Sequence, residues 1–398
     1  MEKAIKQIAT IKFFTYIFIF SIVIFIGHTI FTKNAVFGDG KFYYAYVRSW
    51  VFDRDINLVN DFELLGIKPS VNSRGLAINT FAPGSAILWY FPYLLTDNLV
   101  RLITLQRTGL ELTYQFAVGL INIILGVLGL FFVYHTLKKY FKNQSSLFAA
   151  FILFATTNLL FYIAVEPINS HAVSFFISSL VVYYLSTKLE NLTLGDVFIL
   201  GILSGLAGTI RTQDIIIFTI PAIAIFFKFR KHLKILVTCY LLLVTGILLG
   251  FLPQIYLWKI FFDFYFPPYG WGYGFTFLSP HISYVLFNIQ NGLFILTPTI
   301  ALGLFGLFLF WKKQKLISFM GIFYFLIQLY LIASWRDYYQ GGSYSIRMLI
   351  TTYPIITFGL AYFIEKLMKQ VNLAFILTSI FFLFMINSFL IIRYLLMC

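Results

Sequence analysis

Charge is what this chain most lacks. Only 11% of its 398 residues are Asp, Glu, Lys or Arg, against about 25% in soluble domains. Hydrophobic residues make up 60%, with 49 Phe and 26 Tyr. Water could not cover so much apolar surface, which excludes a soluble globular protein. Disorder, which needs low hydrophobicity and high charge, is excluded for the opposite reason. Two cysteines, Cys239 and Cys398, cannot make a disulfide scaffold, and 26 glycines do not make a collagen. There is no Walker-type phosphate loop and no dinucleotide fingerprint, so a nucleotide-driven pump or a nucleotide-sugar enzyme has no support. No internal repeat, no low-complexity tract and no segment long enough for a soluble domain is present. A polytopic, all-α membrane protein remains, a single transmembrane unit over 1–398.

A helix needs roughly 20 apolar residues to cross the hydrocarbon core. Eleven runs approach that length: 13–31, 112–137, 146–164, 172–186, 197–210, 215–227, 235–255, 292–310, 316–333, 348–364 and 374–396. The first is longer than a signal-peptide core and ends without a small-residue cleavage site, so it reads as an uncleaved helix. With the N-terminus inside, eleven spans place 16 Lys and Arg in inside loops and five in the short outside loops. That skew obeys the positive-inside rule. The net charge of +14 therefore reflects topology anchors facing a lipid bilayer, not nucleic acid. Eleven of the 15 acidic residues fall outside, although acids hardly affect insertion.

Two external segments stand apart: a long first loop, 33–111, and an aromatic-rich loop, 258–291, which includes Trp271 and Tyr273. Such aromatics suit sugar faces and interfacial anchoring equally well. Within the first loop, 39–53 reads as a helix with Tyr43, Tyr46, Val47 and Trp50 on one face. The stretch 82–95, opened by Pro83, is too short to span. It is expected to lie along the outer interface, with Trp89, Tyr90 and Tyr93 at that depth.

Every unusual polar cluster lies at the expected outer ends of the spans, which suggests a cavity open to that face. Asp39, directly after the first span, suits either a general base for an acceptor hydroxyl or a helix N-cap. Arg211, Arg336 and Arg347 are outside cations whose guanidinium forks match phosphate oxygens; interfacial snorkelling is the plainer reading of any one of them. Arg347 closes a turn at Gly341-Gly342, where backbone can approach a ligand. Glu166 and His171 flank a short turn. They suit sugar hydroxyls, acid/base work, a share in a divalent-metal site, or simply a hydrated cap. No His, Cys and Asp spacing forms a metal motif. Arg48 and Asp214 sit in further outer clusters, Arg48 beside Asp53-Arg54-Asp55 and Asp214 in Arg211-Thr212-Gln213-Asp214.

These residues resemble a family. Asp39-Gly40-Lys41-Phe42-Tyr43, Glu166-Pro167 with Ser170-His171, and Gly341-Gly342-Ser343-Tyr344-Ser345-Ile346-Arg347 are similar to motifs of the bacterial GT-C glycosyltransferases, the group of protein O-mannosyltransferase-like and aminoarabinose-transferase-like membrane enzymes. The resemblance implies a GT-C bundle with interfacial helices in its first loop and a polyprenyl-phosphate-linked sugar as donor. It implies inverting transfer outside a plasma membrane, to a glycan, lipid or protein acceptor. Asp39 would be the base, and Arg211, Arg336 and Arg347 would hold the lipid phosphate. Tyr43, Arg48, Glu166, His171, Asp214 and Gly342 would contact substrate. Two departures stand out: Gly40 follows Asp39 where several relatives have a second acid, and Ser345 replaces a glycine. Relatives often carry a soluble extracytoplasmic domain, so acceptor recognition here is expected from the membrane loops or a partner. The competing classes are a flippase or transporter for a lipid-linked glycan, and a glycan polymerase or ligase.

Overall fold

Hydrocarbon offers the backbone no partners, so apolar runs must satisfy their own N–H and C=O groups as helices. The structure, a computed structural model, describes residues 2–266 and 274–397; Trp271, Tyr273 and Cys398 lie outside the described residues. All eleven apolar runs fall on helical segments. The chain forms α1 (Glu2–Thr32), α2 (Gly40–Arg48), α3 (Val59–Leu64), α4 (Gly84–Arg101), α5 (Leu112–Leu137), α6 (Asn143–Ala155), α7 (His171–Lys188) and α8 (Leu194–Ile210). There follow α9 (Thr219–Phe229), α10 (Leu233–Phe262), α11 (Ile282–Phe287), α12 (Leu293–Leu296), α13 (Pro298–Phe310), α14 (Lys315–Ser334), α15 (Tyr353–Leu367) and α16 (Leu373–Met397). Among the described residues, seven helical segments are long and apolar enough to cross a membrane, and α6, α8 and α13 are apolar but shorter.

Glycine sets the closest helix crossings. Gly201 and Gly205 of α8 face Gly246 and Gly250 of α10, and a Cβ on any of the four would fall within 3 Å of the opposite backbone. Small residues four apart let membrane helices approach this closely. Gly306 and Gly359 do the same for α13 and α15.

The run 146–164 is not one helix. It breaks after Ala155, where Thr156 and Thr157 turn their hydroxyls back onto the Ile152 and Leu153 carbonyls (2.7 and 2.6 Å). Such side chains compete with the helical ladder. The carbonyls of Ala155 and Thr157 are taken up by Asn387 Nδ2 of α16, both at 3.0 Å. The chain then re-coils as a π turn, Phe161–Val165.

The first loop departs from expectation in two ways. The helix expected over 39–53 is α2 followed by a π turn, Ser49–Asp53. The short interfacial stretch is an 18-residue helix, α4, and Trp89 and Tyr93 belong to the core instead of the lipid boundary. Each buries its ring and spends its polar tip internally. Trp89 Nε1 donates to Asn122 Oδ1 at 2.7 Å, and the Tyr93 hydroxyl donates to the Gly109 carbonyl at 2.7 Å. Of the three aromatics only Tyr90 stays partly exposed. The aromatic-rich loop also begins later than expected, because α10 continues through Trp258, which is buried, to Phe262.

Candidate active site

Asp39 occupies the N-cap position of α2, yet its side chain makes no cap hydrogen bond. Its Oδ2 instead accepts from Arg347 Nη2 at 2.6 Å, across 308 residues of sequence. The pair is part-exposed, 28% for the Asp39 side chain and 19% for Arg347. Arg347 starts a 3-10 turn, Arg347–Thr352, at the end of the strap that leaves α14. Within that strap Ser345 adopts φ +58, the left-handed region that glycine favours. The residue differs from the family pattern while the backbone conformation suits a glycine.

Gly40 explains the other departure. A Cβ at this position would run into the carbonyl oxygen of Ile168. The start of α2 is thereby seated on the turn that carries Glu166 and His171, and no second acid fits there. Asn122 of α5 holds that turn from below, donating through Nδ2 to the Pro167 carbonyl (2.5 Å) and the Asn169 carbonyl (2.9 Å). Burial pushes the Glu166 carboxyl up to about 7, with the Arg347 charge opposing.

His171, buried at the start of α7, packs against Tyr162 with the rings tilted at 54° and their centroids 4.4 Å apart. Arg211 Nη1 lies 2.5 Å from its Nδ1 and 3.2 Å from its Nε2. A guanidinium only donates, so the contacting imidazole nitrogen accepts and the ring is neutral. Arg211 ends α8 in an extended conformation. Gly84, at the start of α4, sits so close to Thr209 and Ile210 that a Cβ would meet their backbone at 2.6 Å. Three residues on, buried Asp214 accepts from Ser174 Oγ at 2.6 Å; its other oxygen has no hydrogen-bond partner among the described residues. Tyr43 completes the group. Its hydroxyl accepts from Ser170 Oγ at 3.0 Å. Burial raises its pKa, and Arg211, Asp39 and Arg347 all lie near enough to act on it electrostatically.

The fold thus gathers Asp39, Tyr43, Glu166, His171, Arg211 and Arg347, with Asp214 at the flank. Three expected residues are elsewhere. Arg48 is buried against Asp61 (2.6 Å), Asp53 (3.0 Å) and the Thr108 carbonyl (2.7 Å), a contact set internal to the first loop. Arg336 is exposed, its N–H donating to the Gly274 carbonyl beside the Phe275–Trp335 bridge. Gly342 is exposed, and its carbonyl accepts from the Tyr394 hydroxyl. Sequence reasoning missed Tyr162, whose hydroxyl donates to the Tyr344 carbonyl at 3.1 Å and which feels the charges of Arg347, Glu166, Asp39 and Arg211. It lay hidden in an apolar run read as span interior.

Two guanidiniums beside one carboxylate suit a phosphate and an acceptor hydroxyl side by side. Arg347 Nε is buried with no partner among the described residues, which leaves donor capacity for an anion. No three His, Cys, Asp or Glu among the described residues converge on a metal position. Arg347 already occupies Asp39 Oδ2.

Residues 104–258 match the family described as dolichyl-phosphate-mannose-protein mannosyltransferase, a stretch that holds Glu166, His171, Arg211 and Asp214 but neither Asp39 nor Arg347. No curated protein matches the chain. The chain is similar in structure to the archaeal oligosaccharyltransferase AglB from Archaeoglobus fulgidus, solved in complex with an inhibitory peptide and a dolichol-phosphate. The TM-score is 0.55 at 13% identity, over 94% of this chain and 52% of that one. The chain therefore spans about half the length of that protein. The likeness is one of fold: a GT-C bundle of membrane helices.

Proposed function

We propose that this chain of GT-C fold is a membrane glycosyltransferase. It moves a sugar from a polyprenyl-phosphate-linked donor to an acceptor hydroxyl on the extracytoplasmic face, with inversion. The observation that carries this reading is the Asp39–Arg347 ion pair, with Arg211 and His171 beside it. The dolichol-phosphate of the similar structure supports the donor class.

The chemistry follows from the parts. The leaving group is a phosphate anion, so cationic donors serve it better than an acid does. Arg347 and Arg211 take its oxygens as the bond from the anomeric carbon to the phosphate oxygen breaks, and that oxygen keeps the electron pair. The acceptor oxygen bonds to the anomeric carbon from the opposite side, which inverts it. The acceptor proton passes to Asp39. At rest Arg347 occupies Asp39 Oδ2. An arriving phosphate competes for the guanidinium and frees the carboxylate for its proton, which couples donor binding to activation of the base.

The test is transfer by the purified full chain from a prenyl-phosphate-sugar, with the products read by mass spectrometry. Asp39→Asn is expected to insert normally and to bind donor at least as tightly, because no carboxylate then competes for Arg347, while losing transfer by at least about 100-fold. Arg347→Lys keeps charge without the fork and is expected to raise the donor KM as well as lower kcat. Full activity in Asp39→Asn removes the proposed base. Movement of intact lipid-linked sugar across vesicles without product favours a flippase instead.

A further inference from the structure

Away from Asp39, a cavity of about 590 Å3 lies between the segment 50–56 and α4. Trp50 and Leu94 supply apolar wall, and Arg54, Asp55, Tyr90, Asn98 and Arg101 supply polar groups. The whole of α2, Gly40–Arg48, lies between Asp39 and the cavity's first lining residue, Trp50. Arg54 ends the π turn at φ +59, its N–H bonded to the Ser49 carbonyl at 2.7 Å. A non-glycine residue in the left-handed region is disfavoured and persists only where the surroundings impose it. The side chains of Arg54 and Asn98 and the hydroxyl of Tyr90 make no ion pair or hydrogen bond among the described residues, whereas Arg101 pairs with Asp97 at 2.7 Å.

The sequence of α4 connects this cavity to lipid. Tyr90, Leu94, Asn98 and Arg101 share one helical face. About a third of a turn around lie Phe91, Leu95, Leu99 and Leu102, exposed by 75, 61, 55 and 83%. A notch with cationic groups therefore adjoins an unpartnered apolar stripe on the same helix. That order of surfaces matches an amphiphile with an anionic head. The charged lining is Arg54 and Arg101 against Asp55, one positive charge in balance. Arg101 shares Asp97 with Arg107, and Asp55 Oδ1 accepts from Ser49 Oγ (2.9 Å) and Asn57 N–H (3.1 Å), which leaves Arg54 as the cation without an ion-pair partner among the described residues.

We infer that this notch binds the headgroup of an anionic phosphate-bearing lipid, with its acyl chains along Phe91, Leu95 and Leu99. The inference is independent of the transfer reaction. Its test is native mass spectrometry of the detergent-purified full chain, offered equal phosphatidylglycerol and phosphatidylcholine. Phosphatidylglycerol is expected to be retained preferentially. Arg54→Gln is expected to weaken that retention about tenfold, the value of one charge-assisted contact. Phe91→Ser, at an exposed position, is expected to weaken it as well, and millimolar inorganic phosphate is expected to leave the lipid bound. Equal retention of the two lipids, or unchanged retention in both variants, overturns the proposal. Complete displacement by inorganic phosphate also overturns it, because the cavity would then read phosphate without the lipid.

Discussion

Arg347 meets two demands that a lysine could not. One fork arm holds Asp39, and Nε stays free for a further acceptor. Glu166 illustrates the cost of building such a place at the edge of an apolar bundle. Its carboxyl is pushed to about 7 from an ordinary 4.5. A folded-state pKa above the unfolded value means that the folded protein holds the proton more tightly. The associated stability is complete below about pH 4.5 and is lost as pH rises through about 7. Glu166→Gln, neutral at every pH, is therefore expected to melt close to wild type at pH 5 and above it at pH 8, by up to a few kcal/mol at ~1.4 per unit. Thermal scans of both proteins at the two pH values check this. Identical melting at pH 8 would mean that the carboxylate is solvated.

Among the elements, the two devices that position the site are a glycine-lined crossing and a polar hook. The α8–α10 crossing sets where Arg211 emerges, because Arg211 caps α8. A side chain at Gly250 would press on the Ile202 carbonyl and the backbone at Leu206. Gly250→Leu is expected to abolish the folded protein or to separate the helices with loss of transfer, read by monodisperse yield and by activity. Asn387 is the hook. It joins the broken end of α6 to the strap through Tyr344, whose hydroxyl donates to Asn387 Oδ1 at 2.8 Å. Asn387→Leu takes the side-chain donor from the Ala155 carbonyl, at about 1–3 kcal/mol for a group left unsatisfied, while the Thr157 carbonyl keeps the Leu160 N–H (3.3 Å) and the Tyr344 hydroxyl keeps only the Asn387 backbone carbonyl at 3.4 Å. The expected result is a lower melting temperature together with a raised donor KM, since the strap carries Arg347. A lower melting temperature with unchanged KM would make the contact purely structural.

At the scale of the whole molecule, the proposed reaction needs one face. Asp39, Glu166, Arg211 and Arg347 come from four distant stretches and meet at helix ends. A single compartment must therefore see all of them. Single cysteines in place of exposed Arg74 and Asp337, in a Cys398→Ser background, are expected to react with an impermeant thiol reagent added from outside. Lys313→Cys is expected to react only after permeabilisation. Labelling of Arg74→Cys and Asp337→Cys from opposite sides would dismantle the shared site. Buried Cys239 contributes no background.

Composition and periodicity alone determined that this chain is an all-α membrane bundle and where its apolar runs lie, because hydrocarbon permits few other solutions. They also marked Asp39, Glu166, His171, Arg211 and Arg347, since ionisable groups are conspicuous in a sequence so poor in charge. The GxxxG stripes of α8 and α10 were legible in principle, but their pairing with each other was not. Only the tertiary structure decided which marked residues meet. Arg336 looked as suitable for phosphate as Arg347, and Arg48 looked like a substrate contact, yet Arg336 stays on the surface and Arg48 is consumed by Asp61 and Asp53. Partner choice among like charges depends on distances between residues hundreds of positions apart. Local patterns along the chain do not encode those distances; the helix crossings and the glycines that permit them do.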